Sequence, residues 1–409
     1  MSTENIESVD TQKKKYLLEP IGSPIGFGVI ILIGVLIYFI LTNIQNITYW
    51  LPYEEIAKNS GNNLFYKIIW MVKDFSEPQF YGGLFAGLGV ILGGIVAWIL
   101  DVKKSKFAGF NISYGLNVWP WVFASQILSL LLAVFAFKYI TLLDKGHNWI
   151  PTFLVLVGAP QAVMIIYGPS KRALITGSIL GGLITPPIAL WLSDGIVTIL
   201  RLPLAISNYI ALATAITITL QVCKIAPWMK KSDFNVDEED AEEVSRKIEY
   251  EQLKSPIWFI RRVLADFTDP LFYGNEIATI FLIIGAIIDW FLNTKHGLLG
   301  TGVFPGILLS QLIGGGIGVL LYGRKHIEYG WYPTYIPVVS VGPICVLTFG
   351  ATLPVIIFSS VFGGIIGPPF AELLNRNIPD HLHGVIPNMV AMALTSIMAL
   401  LVMNYLPWF

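Results

Sequence analysis

Apolar runs of about twenty residues recur along nearly the whole chain, and a bilayer core about 30 Å thick takes roughly that many helical residues to cross. No water-soluble core can absorb so much apolar chain. Of the 409 residues, 55% are hydrophobic and 13% are charged, whereas soluble domains carry roughly 25% charged residues. In hydrocarbon the backbone polar groups must be satisfied within the segment itself, so the sequence predicts an all-α, polytopic membrane protein. A formal net charge of −1 leaves no basic excess, and nucleic acid is not an expected partner. Cys223 and Cys345 fall in or beside apolar segments without CxxC or metal spacing. Neither a disulfide, a metal nor a cofactor is expected.

A window of about 19 residues places eleven spans, near 25–45, 79–100, 117–140, 149–168, 173–193, 203–224, 271–292, 302–322, 332–350, 353–374 and 386–406. Residues 1–24 read as a polar cytoplasmic tail carrying Lys13, Lys14 and Lys15, without the apolar core of a secretory signal. Span 25–45 is a leader. With the N-terminus inside, 19 of the 26 Lys and Arg fall on cytoplasmic segments, which satisfies the positive-inside rule. The expected location is therefore a cytoplasmic membrane of bacterial type. Residues 225–256 form a polar cytoplasmic linker with the acidic run DEEDAEE, either solvated or a docking site. Arg261 and Arg262, in IWFIRRVL, suit an interfacial helix.

The chain also repeats itself. DFSEPQFYG at 74–82 is answered by DFTDPLFYG at 266–274, an offset of 192. Ser125-Gln126 answers Ser310-Gln311 at 185, Trp149, Pro151 and Thr152 answer Trp331, Pro333 and Thr334 at 182, SILGGLITPP answers SVFGGIIGPP at 182, and Asn208 answers Asn388 at 180. Falling offsets in one order are what shortened loops produce. The copies, 65–224 and 257–406, hold five spans each. Because five is odd, the second copy enters the bilayer from the opposite face, and the halves become inverted-topology repeats. Two near-equivalent halves facing opposite sides suit alternating access.

In carriers built this way the solute binds where helices are interrupted, since freed backbone groups and half-helix ends then face the ligand. Interruptions are expected at Gly158 to Gln161 and Ser340 to Pro343, and from Gly181-Gly182 to Pro186-Pro187 and Gly363-Gly364 to Pro368-Pro369. The candidate substrate-binding residues are Pro160, Gln161, Gly181, Gly182, Pro186, Ser340, Gly342, Pro343, Gly363, Gly364 and Pro368, with Gln126 and Gln311 from spans 3 and 8. The same glycines also suit close helix packing, the prolines a kink, and the glutamines interhelical hydrogen bonds. Asp74, Glu77, Asp266 and Asp269 are candidates for binding H⁺ or Na⁺ or for gating, or else cap helix N-termini ahead of a proline. Glu276, a turn into span 7, is a further coupling candidate because a carboxylate is costly there. Trp149 and Trp331 suit interfacial belts, and His381 and His383 a loop titrating near neutrality or solvated.

No Walker sequence, HExxH or nucleotide fingerprint is present, so ATP hydrolysis and enzyme activity are not expected, and no TVGYG-like filter suggests a channel. The expected function is a secondary active transporter moving a small solute, coupled to H⁺ or Na⁺ or run as an exchanger. Its partners are the lipid bilayer and the solute, and a homo-oligomer is compatible. Two other classes fit: a sugar-translocating subunit of a phosphotransfer system, and a membrane enzyme or lipid-handling protein using the paired acids.

Overall fold

The computed structural model describes residues 22–232, 250–376, 378–379 and 382–409. The cytoplasmic-tail lysines, the DEEDAEE run and His381 lie outside the described residues. Regular structure among the described residues is helical, apart from an isolated bridge between Thr48 and Asn293. In the first part run α1 (Pro24–Thr42), α2 (Tyr53–Ser60), α3 (Leu64–Asp74), α4 (Leu84–Val102), α5 (Trp119–Leu131), α6 (Ala159–Tyr167), α7 (Lys171–Leu192) and α8 (Leu204–Ile225). In the second run α9 (Pro256–Ala265), α10 (Glu276–Leu292), α11 (Phe304–Tyr329), α12 (Val341–Phe349), α13 (Leu353–Asn375) and α14 (Val385–Tyr405).

Among the described residues eight helices, α1, α4, α5 with the turn that continues it to Ala136, α7, α8, α11, α13 and α14, are long and apolar enough to cross a membrane, which marks an α-helical membrane protein. Their outer faces are greasy at helical spacing. Ile175, Ile179 and Leu183 follow one another every four residues on α7 and stay 41–51% exposed, whereas Ala173, Gly177 and Gly181 on its other face are buried. Helix α1 is peripheral. Only 22% of its apolar window is buried, against 78% for α11, and Gly26 and Gly34 seat it on Phe259 and Leu312.

At the centre α4 packs against α10. Gly93 lies on Ala278, Gly89 on the Phe281 carbonyl, and Gly285 on Phe85 and Ala86, so the two helices run antiparallel at backbone distance. The carboxylate of Asp289, near the end of α10, accepts the amides of Phe85 (3.2 Å) and Ala86 (2.8 Å) at the start of α4. It supplies partners to amide donors that a helix start leaves orphaned.

The acidic motifs open only short helical turns, Glu77–Tyr81 and Asp269–Leu271, each with its proline at the start, and not the long helices that follow. Helix α3 ends on Asp74 and α9 is closed by Asp266, and the spans expected from 79 and 271 begin at Leu84 and Glu276. The chain turns within each motif, because the terminal glycines, Gly82 and Gly274, take φ of +50° and +57°, a left-handed conformation that other residues resist. The N-cap role goes to neighbours: Asn275 accepts from Ile277 N and Ala278 N, and Gly83 begins α4.

Two of the four expected interruptions occur. A 3₁₀ turn, Thr152–Leu156, gives way at Gly158 to α6, and a short turn, Ile336–Val339, gives way at Ser340 to α12. The others do not, since α7 runs unbroken through Pro186-Pro187 and α13 through Pro368-Pro369. A helical proline removes the donor to the carbonyl four residues earlier. For Pro187 and Pro369 those carbonyls are Leu183 and Ile365, and hydroxyls replace the lost donors: Tyr139 reaches Leu183 O at 3.2 Å, and Tyr322 donates to Ile365 O. Tyr139→Phe and Tyr322→Phe should therefore each lower stability by about 1 kcal/mol, read as a drop in the midpoint of thermal unfolding.

Candidate functional site

The paired acids fold into two buried clusters with different partners. In the first, Trp70 Nε1 donates to Thr152 Oγ1 (2.8 Å), which donates to Asp74 Oδ2 (2.6 Å). Asp74, Glu77 and Tyr81 line a small cavity of about 40 Å³, room for one or a few waters at most. In the second, Thr334 Oγ1 donates to Asp266 Oδ1 (3.2 Å), and Arg262 Nη2 bridges Asp266 Oδ1 (2.5 Å) and Asp269 Oδ2 (2.8 Å). One guanidinium faces two carboxylates, and Asp266 Oδ2, Asp269 Oδ1 and Arg262 Nε have no hydrogen-bond partner. Arg262 is thus buried rather than interfacial, while its neighbour Arg261 is 39% exposed and pairs with Glu276 at 2.6 Å. Glu276 also accepts Phe110 N at 2.9 Å, and stands apart from both clusters.

The glutamines stitch the interrupted segments. Gln126 donates to Leu156 O (2.8 Å) and Leu271 O (3.1 Å), and Gln311 donates to Val338 O (2.9 Å). Gln161 Oε1 accepts Gly158 N at 2.9 Å, and its Nε2 donates to Val155 O at 3.0 Å. All three are fully buried. They supply the donors that a break in a helix removes. Each amide oxygen of the outer pair then takes a tyrosine from the other half of the chain: Tyr273 OH donates to Gln126 Oε1 and Tyr81 OH to Gln311 Oε1, both at 2.9 Å.

The glycine and proline candidates lie at helix contacts. Gly181 sits on the Pro160 ring, Gly182 beside Ser129 O, Gly342 on Ser310, Gly363 on Val341 and Gly364 on Ile317. Ser340 donates to Ile336 O at 2.6 Å, Pro186 and Pro368 are buried within α7 and α13, and Pro343 is buried in the first turn of α12. None of these residues lines the largest cavity.

That cavity, about 500 Å³, lies among the second acidic motif, the loop after α11, the end of α13 and the start of α14. Asp269 and Phe272 contribute from the motif, Tyr329 from the end of α11, Trp331, Tyr332 and Tyr335 from the loop, and Tyr114 from the first half. Glu372 faces it with its charge already engaged: Arg376 Nη2 at 2.7 Å, Lys325 Nζ at 3.4 Å and Tyr332 OH at 2.8 Å. Asn375 donates to Asn388 at 2.9 Å. His383, half-buried in the loop before α14, accepts Val385 N on Nδ1, and burial pushes its pKa down to about 4, below the near-neutral range. Of the expected site residues, only Asp269 reaches this cavity. The aromatic wall was missed because its tryptophan suits a membrane belt equally well. Arg262 had a legible signal, standing four residues before Asp266 on one helix face. Among the described residues no three of His, Cys, Asp or Glu are placed to hold a metal ion.

Comparison with family models, with curated proteins and with solved structures finds no match to this chain.

Proposed function

We propose that the protein is a secondary active transporter of the cytoplasmic membrane, N-terminus inside, built as two inverted five-span repeats behind a leader helix and carrying a small solute by alternating access. The observation that carries this reading is the reciprocal bonding of Tyr81 to Gln311 and Tyr273 to Gln126, each at 2.9 Å. Applying the sequence offsets exchanges one bond for the other, as a two-fold axis in the membrane plane requires. The contacts of α4 with α10 obey the same exchange, Gly93 on Ala278 becoming Gly285 on Ala86. So do Ser178 on Ser125 O (3.4 Å) and Ser360 on Ser310 O (2.9 Å).

The departures from symmetry support transport. Ile165, Gly384 and Val385 line the large cavity, and their counterparts Leu347, Leu204 and Ala205 line a smaller one of about 300 Å³. The large cavity touches Asp269, whereas the smaller stops at Gln79 and does not include Glu77, so the two vestibules are unequal, as in a carrier resting with one side more open than the other. The acids are the groups for H⁺ or Na⁺ coupling.

The test is solute counterflow in proteoliposomes loaded with candidate solutes. Accumulation of label against an unlabelled internal pool is the expected result, and its absence for every solute tried with folded protein refutes the carrier reading. In intact cells, cysteines introduced at Thr301 and Asn375, which line the two vestibules, should label from opposite compartments.

A further inference from the structure

The geometry points to an organic cation, an amine or quaternary ammonium on an apolar body, as the ligand of the large cavity, held between Asp269 and the faces of Trp331, Tyr332 and Tyr335. This deepens the carrier reading by naming the class of its solute. Three observations meet at one place. Asp269 lines the cavity with a side chain only 1% exposed, and its Oδ1 has no hydrogen-bond partner. An uncompensated buried carboxylate oxygen calls for a positive group or a donor.

The charge count agrees. Arg262 is shared by Asp266 and Asp269, so a single guanidinium serves two carboxyl groups. No lining residue is Lys or Arg, and the nearby cations Lys325 and Arg376 are already bonded to Glu372. An anion would find no cationic side chain in the lining, only the unpartnered Trp331 Nε1 donor. The wall is aromatic, with Trp331 against Tyr335 at 5.8 Å between ring centroids and Tyr329 stacked on Tyr332 at 6.3 Å. Ring faces attract cations, and a cage of them selects quaternary ammonium groups. Part of the hydrogen-bonding capacity a polyol would use is already taken, since Asn375 donates to Asn388 and Tyr332 donates its hydroxyl to Glu372. Leu116, Ile165 and Met389 supply apolar wall for the body of the ligand.

Binding is measured by calorimetry on the purified full chain in lipid nanodiscs, with three probes sharing one ring: benzyltrimethylammonium, neutral benzyl alcohol and anionic phenylacetate. The cation should bind about tenfold or more tightly than either control, and Asp269→Asn should weaken it by about tenfold or more. Because Asp269→Asn also disturbs Arg262, Trp331→Leu and Trp331→Tyr form a second arm. Leucine should weaken the cation by about tenfold, and tyrosine should keep it within about threefold. Equal binding of benzyl alcohol, preference for phenylacetate, binding of none of the three, or indifference to both Asp269→Asn and Trp331→Leu overturns the proposal. The readout needs no transport: counterflow of another solute without cation binding refutes this inference alone, and cation binding without counterflow refutes the carrier reading alone.

Discussion

Arg262→Met should destabilise the protein by about 3–5 kcal/mol, the cost of leaving a buried charge uncompensated. Here two carboxylates lose their shared partner at once, with bonds of 2.5 Å to Asp266 and 2.8 Å to Asp269. The destabilisation is repaired by removing the charges that cause it: adding Asp266→Asn and Asp269→Asn to Arg262→Met should recover most of the lost stability, because a neutral cluster of similar volume has no net charge to bury. Thermal unfolding in nanodiscs, followed by circular dichroism, reads both steps. A single substitution melting like the wild type would mean that water already reaches the cluster.

The second large effect lies at the crossing of α4 and α10. A Cβ built on Gly285 comes within 2.1 Å of Phe85 O and one on Gly93 within 2.8 Å of the Ala278 Cα, both against backbone. Backbone cannot rotate away, so Gly285→Val and Gly93→Val should each cost about 3 kcal/mol or abolish folding, at the upper end of overpacking penalties. Gly28→Ala, with nothing within 4 Å, should be neutral or stabilising, since alanine favours the helix by roughly 1 kcal/mol over glycine. Yield of monodisperse protein and its melting temperature separate the three. Equal tolerance of all three would mean that the two helices do not touch as described.

What was legible in the sequence was whatever depends on neighbours along the chain. Apolar windows found the long helices, and Gly158 and Ser340 break their segments as their surroundings suggest. Pro186-Pro187 and Pro368-Pro369 misled because their orphaned carbonyls are served by Tyr139 and Tyr322, which lie more than forty positions away. No local window contains both halves of that exchange. The acids misled for a related reason, since Asp74 and Asp266 close helices and find their threonines, Thr152 and Thr334, on segments far along the chain. The cavity draws on six separated stretches, each ordinary by itself: the turn around Tyr114, Ile165 on α6, the motif around Asp269, a tyrosine-rich loop, the end of α13 and a histidine loop running into α14.

The antiparallel seating of α4 on α10 has a consequence for biogenesis. Helix α4 leaves the ribosome first, with Gly89 and Gly93 waiting for a partner encoded about 190 positions later. At translation speeds of about 5–20 residues per second that partner is missing for roughly 10–40 s. During that interval the glycine groove can be covered only by lipid, by another nascent chain or by an insertion chaperone. The amino-terminal half expressed alone remains in that state permanently, and should be cleared by membrane proteases unless the other half is supplied in trans.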